Sequence, residues 1–148
     1  MSSENALPYS TTPLVRDHCL CLHVQRAARA LARRFDEAFR PLGLTNRQFS
    51  LLMSLNRPEP PPMGAVANLL GMDRTTLTAA LKPLERRGLV CVRRDRNDRR
   101  TRILILTAQG RDLLAHAAPI WQHTHAEIER HHSRAELAEL RSGLMALS

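Results

Sequence analysis

Between Leu89 and Thr107 the chain runs LVCVRRDRNDRRTRILILT, two apolar arms on either side of a tip crowded with arginine. Apolar alternation in both arms, with Asn97-Asp98 as turn former between them, predicts an antiparallel two-stranded ribbon with one face buried. Leu89 and Cys91 on one arm, and Ile103 and Ile105 on the other, are expected to face inward. From Arg93 to Arg102 there are six arginines against two aspartates. Such a hairpin is either a solvated loop or a finger laid against phosphates and a narrow groove. What precedes it decides between the two.

The 148 residues, 43% of them hydrophobic, suffice for one domain with a real core. A net charge of +8 favours an anionic partner, either nucleic acid or an anionic membrane. No apolar run approaches the roughly 18–20 residues that a bilayer span needs. The first ten residues are polar, include Glu4 and lack a signal-peptide pattern, so a cytoplasmic location without membrane attachment is expected. The odd count of three cysteines, Cys19, Cys21 and Cys91, argues against a disulfide framework. Aromatic residues make up only 3%, too few for a single-strand stacking platform, whereas duplex recognition relies on charge and groove shape.

Residues 1–11 look like a flexible arm, and 12–148 like a single domain. Thr12-Pro13 is a helix start, and apolar residues from Leu20 to Phe39 keep helical spacing until Pro41. One continuous helix over 12–40 would be a rod of about 40 Å. Thr45 caps a second helix buried through Phe49, Leu52 and Met53, which stops in the proline-rich stretch Arg57–Pro62. A short third helix, Met63 to Leu70, turns Val66, Leu69 and Leu70 inward. After Gly71-Met72-Asp73, a fourth helix from Arg74 to Arg87 buries Leu77, Leu81 and Leu84. Thr107 caps a fifth helix in which Pro119 predicts a kink, and Ser133 with Glu136 forms a capping box for a last one.

Two short helices joined by a glycine-containing turn form a helix-turn-helix, and the arginine-tipped ribbon makes it a winged one. The fold class expected is mainly α: a winged helix-turn-helix over 44–106, a two-stranded β wing, and long terminal helices over 12–40 and 107–148. Thr75, Thr76 and Thr78 are short enough to bring the fourth helix close to base edges in the major groove. Arg74, Lys82 and Arg86 can hold phosphates and set register. Arg94 lies on the wing, and Arg96 or Arg99 at its tip can enter an adjacent minor groove. Asp98 is expected to pair with Arg100 and shape the turn. The terminal helices carry more apolar surface than one small head can cover, which favours a two-fold homodimer for their burial.

With these pieces in place, the chain resembles the multiple-antibiotic-resistance regulator (MarR) family of winged-helix transcription factors. The matching segments are GLTNRQFSLL at 43–52, VANLLGMDRTTLTAALKPLERRGLV at 66–90 and DRNDRRTRILILTAQG at 95–110. The resemblance implies a homodimer held by the first and last two helices, bound to a pseudo-palindromic operator in double-stranded DNA. It also implies a repressor released by a small molecule or an oxidant, with an effector pocket near His23 and Met53. Two departures stand out. Pro83 sits inside the recognition helix, and Arg96 occupies a place where family members often carry proline.

Cys19 and Cys21 are candidates for redox sensing, with Arg16 nearby as a cation. On one continuous helix, however, a two-residue separation means about 200° of rotation and thiols facing opposite sides. Buried or interfacial cysteine is the alternative, and Cys91 is expected in the core. The histidines lack the spacing of a zinc site. No cofactor, metal or enzymatic activity is expected, because no phosphate-binding glycine loop, HExxH motif or catalytic carboxylate pair is recognisable. A competing reading from a different class is a winged interaction module that no longer reads DNA sequence.

Overall fold

A helix needs an unbroken ladder of N–H···O=C bonds, and the N-terminal apolar run does not sustain one. In the computed structural model, which describes residues 6–148, α1 spans Thr11–His18 and α2 spans Leu20–Phe39. Between them Cys19 is extended, with ψ 109°, so the single rod expected over 12–40 is two helices. The Cys19 Sγ accepts the Leu22 N–H at 3.4 Å, standing where a hydroxyl or carboxylate oxygen usually caps a helix start. Nor does the helix start at Thr12-Pro13 with Thr12 as its cap. Helix α1 begins at Thr11, with Ser10 before it making no side-chain capping bond. Past Phe39 a turn of 3-10 helix, Arg40–Leu42, closes at Gly43 with φ 65°. Residues 1–5 of the expected arm lie outside the described residues.

The chain divides into two compact units, Met1–Arg34 and Phe35–Ser148. In the first, the apolar residues Leu14, Val15, Leu20, Leu22, Val24 and Leu31 are all exposed. The second holds the core.

In that second unit, α3 (Asn46–Ser54) opens with a complete capping box. The Thr45 hydroxyl accepts the Gln48 N–H, and the Gln48 amide oxygen accepts the Thr45 N–H. It buries Phe49, Leu51 and Leu52, while Met53, expected inward, points out of the core at 38% exposure. Helix α4 (Met63–Leu70) buries Val66 and Ala67; Leu69, also expected inward, is 61% exposed. In so short a helix one inward step decides which leucine faces the core, and Ala67 takes it. Gly71 ends α4 in the left-handed region, at φ 63°, and Asp73 caps α5 (Arg74–Arg86). Leu77, Leu81 and Leu84 line the inner face of α5.

Strands β1 (Val90–Arg94) and β2 (Arg102–Leu106) pair antiparallel, with Val90 opposite Leu106 and Val92 opposite Leu104. Val90, Leu104 and Leu106 are buried, while Cys91, Ile103 and Ile105 are only half-buried. Leu89, just before β1, is buried as expected, but within the strands the inward face is the opposite of the one expected, and Cys91 is not a core residue. Both faces of this ribbon are apolar, so the alternation carries no phase, and a one-residue shift exchanges the faces. On the outer edge of β2, the Pro61 carbonyl accepts the Leu104 N–H at 3.0 Å and Pro62 bridges to Ile103. The proline-rich connector thus guards the wing's edge with residues that have no N–H to offer another strand.

Helix α6 (Ala108–Glu129) starts where Thr107 accepts the Gly110 N–H and donates its hydroxyl to the Gly88 carbonyl at 2.6 Å. The helix runs on through Pro119. Phe35, Phe39, Phe49, Trp121 and His125 form a closed circuit of ring contacts, with successive centroids 4.7–6.5 Å apart. Helix α7 (Arg134–Ala146) carries the expected Ser133–Glu136 capping box but buries no residue.

A Cβ on Gly110 would stand 2.2 Å from the Leu89 carbonyl oxygen, a backbone atom that cannot swing aside. Gly110→Ala is expected to destabilise the fold by about 1–3 kcal/mol, as overpacking does. Gly143→Ala, with nothing within 4 Å, should be neutral or slightly stabilising. Chemical denaturation of the two variants checks this.

Candidate nucleic-acid interface

With its leucines fixed inward, α5 turns Arg74, Thr75, Thr76, Thr78, Lys82 and Arg86 to solvent, and every one of them is exposed. The three threonines are not equivalent. Thr78 donates its hydroxyl to the Arg74 carbonyl at 2.8 Å. Thr76 gives its backbone N–H, at 2.7 Å, and its hydroxyl to the Asp73 carboxylate. Those bonds, the backbone one first, hold the Asp73 carboxyl below the usual carboxylate range, so the cap is a charged one. Thr75 keeps a hydroxyl with no protein partner among the described residues. Next to it, a cleft of about 530 Å³ runs between α3 and α5, lined by Thr45, Arg47, Gln48, Thr75, Thr76 and Pro83. Arg47 was not anticipated there. It lies on α3, and only the packing of α3 beside α5 brings it to this face.

At the wing tip the aspartates are consumed by the backbone. Asp95 accepts the Asn97 N–H at 3.0 Å; Asp98 accepts the Arg100 N–H at 3.0 Å and the Thr101 hydroxyl at 3.2 Å. Asp98 therefore shapes the turn as expected, but through the backbone of Arg100 and not through its guanidinium. An aspartate two residues before a free N–H accepts from it locally, closing the turn on the backbone itself. The guanidiniums of Arg94, Arg96, Arg99 and Arg100 are left exposed and without a carboxylate partner among the described residues.

A different arginine is structural. Arg87 donates to the Gly43 carbonyl at 2.7 Å and the Leu42 carbonyl at 3.4 Å, tying the end of α5 to the turn before α3. Nothing in the local sequence distinguishes it from Arg86, because its partners lie more than forty residues away.

Comparison with known proteins agrees with this geometry. The model of the MarR family matches residues 44–101. The transcriptional regulator MosR of M. tuberculosis, solved in complex with DNA, is 37% identical and superposes with a TM-score of 0.75 over 88% of this chain and 98% of that one. The chain belongs to the MarR family. The transcriptional repressor CouR, solved on a 23-mer DNA duplex, is 30% identical, with a TM-score of 0.78 over 90% of this chain and 94% of its own. The regulator TtmR of Methylorubrum extorquens is 36% identical over 101 residues, 68% of this chain and 52% of the relative. The matches span 52–63% of the length of the curated relatives. As a MarR-family fold, the chain has the winged helix-turn-helix expected from its sequence, with α4 and α5 as the two helices and β1–β2 as the wing.

The sensor candidates of this MarR-family chain are placed as follows. All three cysteines are free. Cys19 sits at the helix break, and the Cys21 Sγ accepts the Gln25 amide at 2.9 Å. Arg16, considered as a partner for a thiol, pairs instead with the adjacent carboxylate of Asp17 at 2.7 Å. His23 turns Nδ1 to the Cys19 carbonyl at 2.8 Å. Met53 lines a cleft of about 220 Å³ with Asn56 and Arg111. Among the described residues no group of three or more His, Cys, Asp or Glu is placed to hold a metal ion, and no helix is long and apolar enough to cross a membrane.

Proposed function

We propose that this chain is a homodimeric transcriptional regulator that binds a pseudo-palindromic operator in double-stranded DNA, acting as a repressor in the cytoplasm and not as an enzyme. The observation that carries the reading is the pairing of an exposed threonine-bearing helix, α5, with a wing whose aspartates are spent on its own backbone. That division of labour leaves a cationic surface for phosphates and short polar groups for base edges. Arg74, Lys82 and Arg86 take phosphates, while Arg94, Arg96 and Arg99 lie along the neighbouring groove. The homodimer is supported by exposed Leu14, Val15, Leu20, Leu22 and Val24 in the first unit and Leu140, Leu144, Met145 and Leu147 around α7. CouR has also been solved with p-coumaroyl-CoA, which supports a small-molecule effector as a class, here near His23 or Met53.

Thr75, with its free hydroxyl, is the base reader of the three threonines. On a duplex selected by the protein from a random pool, Thr75→Val should weaken binding about fivefold, the worth of one hydrogen bond of ~1 kcal/mol. Thr78→Val, whose hydroxyl already serves the helix, should change it less. Fluorescence anisotropy against the selected and a scrambled duplex decides. Failure of the wild type to prefer the selected duplex would favour the interaction module without sequence reading.

A second reading makes Cys19 and Cys21 the sensor. Cys19 is extended at the break between α1 and α2, so the two thiols do not lie on one continuous helix. Hydrogen peroxide would oxidise the pair to one disulfide and leave as two waters, straining the α1–α2 junction. Peroxide should then release the duplex from wild type but not from a Cys19→Ser, Cys21→Ser double variant. Release that persists in the double variant excludes these thiols.

A further inference from the structure

Where the first turn of α5 meets the base of the wing there is a cleft of about 200 Å³, lined by Met63, Gly64, Arg74, Thr78, Arg100, Thr101 and Arg102. Three arginines thus line one small space, and no carboxylate lines it. None of the three side chains has a protein hydrogen-bond or ion-pair partner among the described residues. Both hydroxyl protons at its edge are already committed: Thr78 donates to the Arg74 carbonyl, and Thr101 to the Asp98 carboxylate. The donors left in the cleft are therefore arginine N–H groups, in the planar fork that matches phosphate oxygens.

The backbone around the cleft is fixed. A Cβ added at Gly64 would stand 3.4 Å from the Arg74 Nη2, which places that guanidinium over the start of α4. Arg100 is set by the Asp98 turn through its backbone N–H. Arg102 is fixed in the strand register opposite Arg94. Gathering like charges against a half-enclosed surface is unfavourable unless an anion joins them.

We infer that Arg74, Arg100 and Arg102 form a seat for one phosphate group, bridging the recognition helix and the wing. Its natural occupant is a backbone phosphodiester of duplex DNA, which locks the wing to the helix without reading sequence. That choice of occupant rests on the DNA-binding reading, whereas the seat itself does not.

Phenylglyoxal modification of arginine, resolved residue by residue by peptide mass spectrometry, tests both. Inorganic phosphate, compared with chloride at equal ionic strength, should slow modification of Arg74, Arg100 and Arg102 more than that of Arg96 and Arg99 on the same wing. A mixed-sequence duplex should protect the same three together with the groove residues Arg96 and Arg99. Preferential protection of the three by inorganic phosphate supports the seat; their protection by the duplex as well assigns it to DNA, and protection by inorganic phosphate alone removes DNA as its occupant. Equal protection of all five arginines by inorganic phosphate, or none by it, overturns the seat. In parallel, Arg102→Gln should lower affinity for selected and scrambled duplexes by the same factor and flatten the log K against log salt slope by about 0.9, the loss of one phosphate contact. An effect confined to the selected duplex would contradict the seat. If wild type binds no duplex at all, the DNA-binding reading fails while the inorganic phosphate experiment still judges the seat.

Discussion

The Leu89 carbonyl lies at a crossing. It accepts the Thr107 N–H at 3.1 Å, while Gly110 packs so close against it that no Cβ would fit. Thr107 then uses its hydroxyl twice, accepting from Gly110 and donating to the Gly88 carbonyl. Through these few atoms the end of α5, both roots of the wing and the start of α6 become one joint. Because these bonds join backbone atoms directly or through one short hydroxyl, the wing's direction relative to α5 does not depend on long, flexible side chains. Everything the exposed arginines and threonines can do follows from that fixed angle. Arg87, gripping Gly43 and Leu42, adds a second tie from α5 to the chain entering α3.

On this frame, charge is sorted by role. Asp73, Asp95 and Asp98 could have neutralised neighbouring arginines, yet each is spent on local N–H groups. The α5 cap is satisfied, the wing turn is shaped, and the guanidiniums are left for an outside partner. The net charge of +8 thus becomes an organised surface and not a diffuse one. The same economy applies to hydroxyls: Thr76 and Thr78 serve the helix and Thr75 remains open.

What the sequence made legible were features whose chemistry is local. Thr45, Asp73, Thr107 and Ser133 all cap helices as their positions suggest, since a cap is made within three residues. The α5 leucine stripe and the arginine tip were equally plain. The break at Cys19 was not, because no glycine or proline marks it and a sulfur takes the capping place. Nor was the buried face of the wing, where both faces are apolar and only pairing with the α-helical core selects one. Met53 and Leu69 were misplaced by one helical step. Arg47, Arg87 and Arg102 gained meaning only through neighbours distant in sequence, which no spacing rule reveals.

In the proposed dimer, two such joints related by two-fold symmetry present α5 and the wing to one duplex. Hydroxyl-radical footprinting on a duplex selected by the protein tests it most directly. Two protected segments are expected, with centres about one DNA turn, roughly 34 Å, apart, each with a flanking minor-groove protection from a wing. A single unpaired protected segment, or uniform protection without position dependence, would contradict it.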